Sequence, residues 1–149
     1  MLNHFLFLFD ESAIESLRNA EISRLWLFFP IGYLLTIAIE MPFLIFGLSP
    51  KLSLRKKLLC GIWLTACTYP IVVLVLPAAM QNYSRGAYLA VAESFAHFGE
   101  CVIFWLAFRG YKDFEMKDWI RSFIAILLAN FASFMIGEVL NSYSWFGLF

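Results

Sequence analysis

Hydrophobic positions are not spread evenly along this chain. They gather into four long runs, at 25–48, 58–80, 87–108 and 119–140. Each run is long enough to cross a bilayer as a helix, which takes about 20 predominantly apolar residues. The polar segments between them are short: "SPKLSLRKK", "QNYSRG" and "RGYKDFEMKD". Links of that length make consecutive helices antiparallel neighbours. Ahead of the first run the pattern changes. Ser12 followed by Glu15 fits a capping box and predicts a helix opening near residue 13. Ile14, Leu17, Glu21 and Leu25 then fall near one face and Glu11, Glu15 and Arg18 mark a polar one, the pattern of an amphipathic helix lying in the membrane interface. The expected fold is therefore all-α, an integral membrane bundle of four transmembrane helices (25–149) with an N-terminal amphipathic interfacial helix (1–24). No internal repeat, low-complexity tract or second domain is apparent in the sequence.

Composition supports the membrane. The chain is 62% hydrophobic and 15% charged, well below the roughly 25% charged residues of a soluble domain. The formal net charge is zero, with no basic block to suggest nucleic acid. Neither a cleaved signal peptide nor a lipidation motif is expected. Basic residues do set an orientation. Lys51, Arg55, Lys56 and Lys57 lie between the first two runs, and Arg109, Lys112, Lys117 and Arg121 lie at or near the link between the last two. Arg18, Arg24 and Arg85 lie on the other side. By the positive-inside rule both basic links are expected in the cytoplasm, with both termini outside. The expected location is multi-pass in a plasma (inner) membrane.

Against that background the stretch "AESFAHFGECVIFW" is anomalous, because it carries Glu93, His97 and Glu100 within a membrane run. Priced like Asp, two Glu at a helix centre oppose insertion by roughly 5–7 kcal/mol, and the run's nine good apolar residues return only about 3–5 kcal/mol. At 100° per residue the three side chains project within about 60° of one another. They are expected to face into the bundle. Other runs offer polar partners. Glu40 precedes Pro42 in "AIEMPFL", where the proline frees a backbone carbonyl. Cys67 and Thr68 precede Pro70, where Thr hydroxyls can satisfy a kinked backbone. Asn130, Ser133 and Gly137 line one side of the fourth run, and Glu138 lies near its outer end. Depths along the helices arrange the acids as a ladder, from Glu138 through Glu93 to a group of Glu40, His97 and Glu100.

Three chemistries follow. Glu93, His97, Glu100 and Glu40 could bind or pass a small cation, either a proton or a divalent metal ion, with Asn130, Ser133, Thr68, Cys67 and Glu138 as further polar members. A Glu/His pair could instead serve as acid and base in an intramembrane enzyme acting on a lipid or lipid-linked substrate. No HExxH, GxSxG or P-loop pattern supports a named activity. Lastly, the acids could pair with basic groups of a partner in a larger membrane complex. Partners expected from the sequence are the bilayer, a second copy or a membrane subunit. The cysteines read as small apolar fillers.

Overall fold

The computed structural model describes the backbone of residues 11–143 and side chains from Phe28 onward. Four helices account for nearly all of it: α1 (Glu11–Gly47), α2 (Leu54–Ala79), α3 (Arg85–Phe108) and α4 (Met116–Ser142). Each contains a segment long and apolar enough to span a membrane, the one in α1 being Phe28–Gly47. The helices close into a ring in which α1 and α3 each pack against both α2 and α4. Large apolar side chains such as Phe46, Trp63, Phe98 and Phe131 stand outward and exposed. A bilayer supplies the partner that water would deny them, and a helix satisfies its own backbone there.

Helix starts are earlier than hydropathy alone predicts. α2 begins at Leu54 and takes Lys56 and Lys57 into its first turn. α4 begins at Met116, where the Glu115 side chain accepts the Asp118 backbone N–H and Asp118 Oδ2 accepts the Glu115 N–H at 3.0 Å, a reciprocal cap. α1 is continuous from Glu11 through Pro30 and Pro42 to Gly47. No break separates the segment expected at the interface from the span. The face that segment presents depends on side chains outside the described ones. In α2 the backbone widens into a π-helical stretch at Ile71–Val75, directly after Pro70. Proline cannot donate to the preceding turn, and such bulges are a common accommodation. The Tyr88 hydroxyl donates to the Val72 carbonyl at 3.0 Å and so helps satisfy the altered backbone.

A repeat emerges that the sequence conceals. Along α1 and α3 burial recurs at a spacing of sixty residues: Gly32 and Ala92, Glu40 and Glu100, Leu44 and Phe104 are buried alike. Along α2 and α4 it recurs at sixty-five: Lys57 and Ser122, Cys60 and Ala125, Gly61 and Ile126, Leu64 and Ala129, Thr65 and Asn130. The hairpins α1–α2 and α3–α4 are thus two like units running in the same direction and facing each other.

One end of the bundle is held shut. Lys51 Nζ reaches Glu115 Oε1 and Asp118 Oδ2, each at 2.8 Å, and the Asp113 carbonyl at 2.6 Å. Ser49 Oγ donates to Asp118 Oδ1 at 2.8 Å, and Ser49 N–H to Ser122 Oγ at 3.2 Å. The last carbonyls of α1 are capped by cations. Lys57 Nζ donates to Ile45 and Leu48, and Arg121 to Phe46 and Gly47, at 2.8–3.0 Å. Above this clasp lies an apolar floor of Leu44, Leu48, Leu64, Phe104 and Ile126, ringed by Phe108, Phe114, Trp119 and Phe123.

Candidate functional site

Two carboxyl groups sit at the centre of the bundle, and every one of their oxygens has a partner. Glu40 on α1 is buried; its Oε2 lies 2.9 Å from Thr65 Oγ1 on α2, and its Oε1 lies 2.7 Å from Ser133 Oγ on α4. Glu100 on α3 is buried equally; its Oε1 lies 2.9 Å from Thr68 Oγ1 on α2, and its Oε2 lies 2.7 Å from Asn130 Nδ2 on α4. Residues three apart share a helix face, so Thr65 with Thr68 and Asn130 with Ser133 can each serve both acids. The contacts obey the repeat. Glu40 bonds Thr65 of its own hairpin as Glu100 bonds Asn130 of its own. Across the interface, Glu40 bonds Ser133 as Glu100 bonds Thr68.

These side chains border a cavity of about 130 Å³, room for roughly four water-sized occupants at liquid density. Its remaining walls include Thr36 and Ala96, Tyr69 and Phe134, again equivalent positions, together with Glu93. Among the described residues no Lys, Arg or His side chain lines it. A second cavity, of about 360 Å³, shares Thr36, Tyr69, Glu93 and Ser133 with the first and extends to Arg85, Glu138 and Asn141. The site therefore opens toward the end opposite the clasp. There Arg85 Nη2 holds both oxygens of Glu138, at 2.7 and 2.8 Å.

The sequence-derived candidates divide cleanly. Glu40, Glu100, Thr68, Asn130 and Ser133 meet in one cluster. Glu93 lines both cavities as a step between the mouth and the centre, and Glu138 stands at the mouth. His97 does not join Glu40 or Glu100. Its Nδ1 lies 2.7 Å from the Glu93 carbonyl one turn back, and 3.9 Å from Glu93 Oε2. A carbonyl only accepts, so Nδ1 carries the hydrogen. Cys67 lines neither cavity. Among the described residues no group of three or more His, Cys, Asp or Glu side chains could hold a metal ion, so the divalent-metal expectation gains no support. Thr65 reads in the sequence only as a hydroxyl near the Pro70 kink, although its place one turn from Thr68 on the same face is a readable signal of the site.

Counting hydrogens shows what the cluster accepts. Around Glu100 there are four contacts: Thr68 to the Leu64 carbonyl and to Glu100, Asn130 to the Ile126 carbonyl and to Glu100. Thr68 brings one hydrogen and Asn130 two. A proton on Glu100, donated to Thr68 Oγ1, completes the set of four. Around Glu40 the four contacts are Thr65 to the Gly61 carbonyl and to Glu40, and Ser133 to the Asn130 carbonyl and to Glu40. Two hydroxyl hydrogens and one carboxyl proton satisfy three of these, leaving Glu40 one donor short. Unpaired charge in such surroundings costs several kcal/mol, so each carboxyl needs either a proton or a bound cation.

No family model matches the chain, and no curated protein or solved structure matches it. Its chemistry is argued from this geometry.

Proposed function

We propose that the protein binds a small cation, the proton, at Glu40 and Glu100, and exchanges it with the side of the membrane to which the Arg85–Glu138 end opens. The observation that carries this reading is a pair of buried carboxyls whose oxygens all lie within hydrogen-bond distance of small polar side chains, with no basic neighbour and a polar-lined cavity leading away from them. Glu100 is the acid that keeps its proton, because its neutral form completes every bond around it. Glu40 is the acid that exchanges, because its neutral form still lacks one donor. Glu93, bordering both cavities, relays between Glu40 and the mouth, as intramembrane acids in line commonly do. A proton carrier or proton-linked transporter is the class of membrane protein this describes.

The test uses the purified chain in sealed vesicles holding a pH-sensitive dye. A carrier that alternates access between the two faces should, after an external acid pulse, acidify wild-type vesicles inside faster than empty ones, and Glu40→Gln should abolish the difference. The Gln variant replaces the titrating group with a near-isostere, so loss of folding does not explain the result. Equal rates for wild type and Glu40→Gln would remove the exchange role from Glu40.

A further inference from the structure

The outer surface carries two grooves that the central site does not explain, and they stand at equivalent places in the repeat. One runs between α1 and α4, with a volume of about 770 Å³. The other runs between α2 and α3, with a volume of about 520 Å³. Five wall positions correspond under the spacings of sixty and sixty-five that relate the hairpins: Gly47 with Ala107, Arg121 with Lys56, Ile124 with Leu59, Ala125 with Cys60, and Leu128 with Trp63. Each is hollow for the same reason. Where the helices cross, the floor is made of small residues, Gly47 with Ala125 in the first groove and Ala107 with Cys60 in the second. A Cβ built on Gly47 would stand 2.5 Å from Ala125 Cβ, so the helices touch there and only the flanking side chains rise. Those flanks are large and apolar: Ile124 and Leu128 in one groove, Leu59 and Trp63 in the other.

Each groove also ends at a cation, and at the same end of the bundle. Arg121 borders the first and Lys56, its equivalent, borders the second. Neither has a carboxylate partner among the described residues. Arg121 spends Nε and Nη2 on the Gly47 and Phe46 carbonyls, which leaves Nη1 for another acceptor. Lys56 Nζ donates to the Tyr111 hydroxyl at 2.9 Å, with its other hydrogens uncommitted. Of the carboxylates at this end, Asp118 is held by Lys51 and Glu115 by Lys51 and Lys117, while the Asp113 side chain pairs with neither Arg121 nor Lys56. An apolar trough with an unneutralised cation at its head is complementary to one kind of molecule, an acyl chain carrying an anionic headgroup.

We propose that the two grooves are equivalent binding sites for an anionic phospholipid, one chain in each trough and its phosphate on Arg121 or Lys56. Both sites lie in the same leaflet, the one at the clasped end. Their occupants bridge the two hairpins, since α1 meets α4 and α2 meets α3 along the troughs. This inference does not depend on proton binding at the central acids.

The experiment reconstitutes the chain in vesicles with equal amounts of dioleoyl phosphatidylglycerol and dioleoyl phosphatidylcholine, extracts it gently and counts retained lipids by native mass spectrometry. Two phosphatidylglycerol molecules per chain are expected, each preferred roughly fivefold over phosphatidylcholine, as one basic contact to an anionic headgroup warrants. Arg121→Gln and Lys56→Gln should each lose one molecule and the double variant both. Arg121→Lys should restore binding, which separates loss of charge from damage to the α1 cap. The proposal is overturned by retention of both lipids in equal numbers, by unchanged retention in the double variant, or by a second copy of the chain occupying a groove in place of lipid.

Discussion

At the scale of single residues, Glu100 and Glu40 look alike but are held differently, and the difference predicts how each tolerates change. Replacing Glu100 with Gln keeps an acceptor for Asn130 and supplies N–H hydrogens for Thr68, so every contact around it survives. Glu100→Gln should unfold within about 0.5 kcal/mol of wild type, whereas Glu100→Leu, which strands the buried Asn130 amide, should cost about 1–3 kcal/mol. Denaturation in detergent micelles, followed by helicity, distinguishes them, and equal losses for the two variants would contradict the hydrogen count. His97 gives the complementary expectation. It bonds its own helix, so His97→Ala and Glu40→Gln should add to within about 0.5 kcal/mol in a double-mutant cycle. The sequence pointed to five of the six side chains that make the cluster and mistook His97 for another. The reason is angular. His97 stands about 60° from Glu100 around the helix, at the edge of the inward sector. A sequence shows which residues share a broad face, and not which of them turns back to its own backbone.

The four helices were legible because lipid imposes one length on all of them. Their irregularities were not, since they answer to neighbours. The π-helical stretch after Pro70 is steadied by Tyr88 from another helix, and the early start of α4 depends on its Glu115–Asp118 cap. Close approach of α1 and α4 is set at Gly47, and Gly47→Val should cost about 1–3 kcal/mol by forcing those helices apart. Normal stability in that variant would show that the contact yields freely. The clasp between the links is electrostatic, and its pH dependence has a definite sign. Its hydrogen bonds to Asp118 and Glu115 hold Lys51 above the usual lysine range, and hydrogen bonds from Lys51 and Lys117 hold Glu115 below the usual carboxylate range. The stability from Lys51 is full below about pH 10.4 and fades as pH rises through its higher folded value. That from Glu115 is full above about pH 4.3 and fades as pH falls through its lower folded value. Lys51→Met should therefore lower the melting temperature at neutral pH, with the gap to wild type narrowing in strong acid. A gap that is constant across pH would mean that the ion pairs contribute nothing.

For the molecule as a whole, the repeat is the feature that sequence hid most completely. Between 28–47 and 88–107 the only identical pair is Glu40 with Glu100. Lipid-facing positions accept any apolar side chain, and buried ones need only a matching volume with its partner, so Leu44 stands where Phe104 does. What persists is the requirement of the site, an acid in each first helix facing small polar groups in each second helix. That arrangement gives the bundle two unlike ends, a clasped one rich in cations and an open one leading to the acids. If the clasped end is cytoplasmic, as eight basic residues against three predict, the cavity faces outward. Single cysteines test this in a background where Cys60, Cys67 and Cys101 are Ala. Two of those replacements copy the equivalent positions, Ala125 and Ala132, and should be tolerated. Ser53→Cys marks the clasped end and Ser84→Cys the open one. Gly137→Cys reports the wider cavity, where open space surrounds the added side chain. A membrane-impermeant thiol reagent applied outside intact cells should label Ser84→Cys and Gly137→Cys and spare Ser53→Cys. Labelling of Ser53→Cys alone would reverse the orientation while leaving the cavity's opening intact. Labelling of Gly137→Cys together with Ser53→Cys, and not with Ser84→Cys, would instead place the route to Glu40 and Glu100 through the clasp and overturn the one-sided access on which the exchange of protons rests.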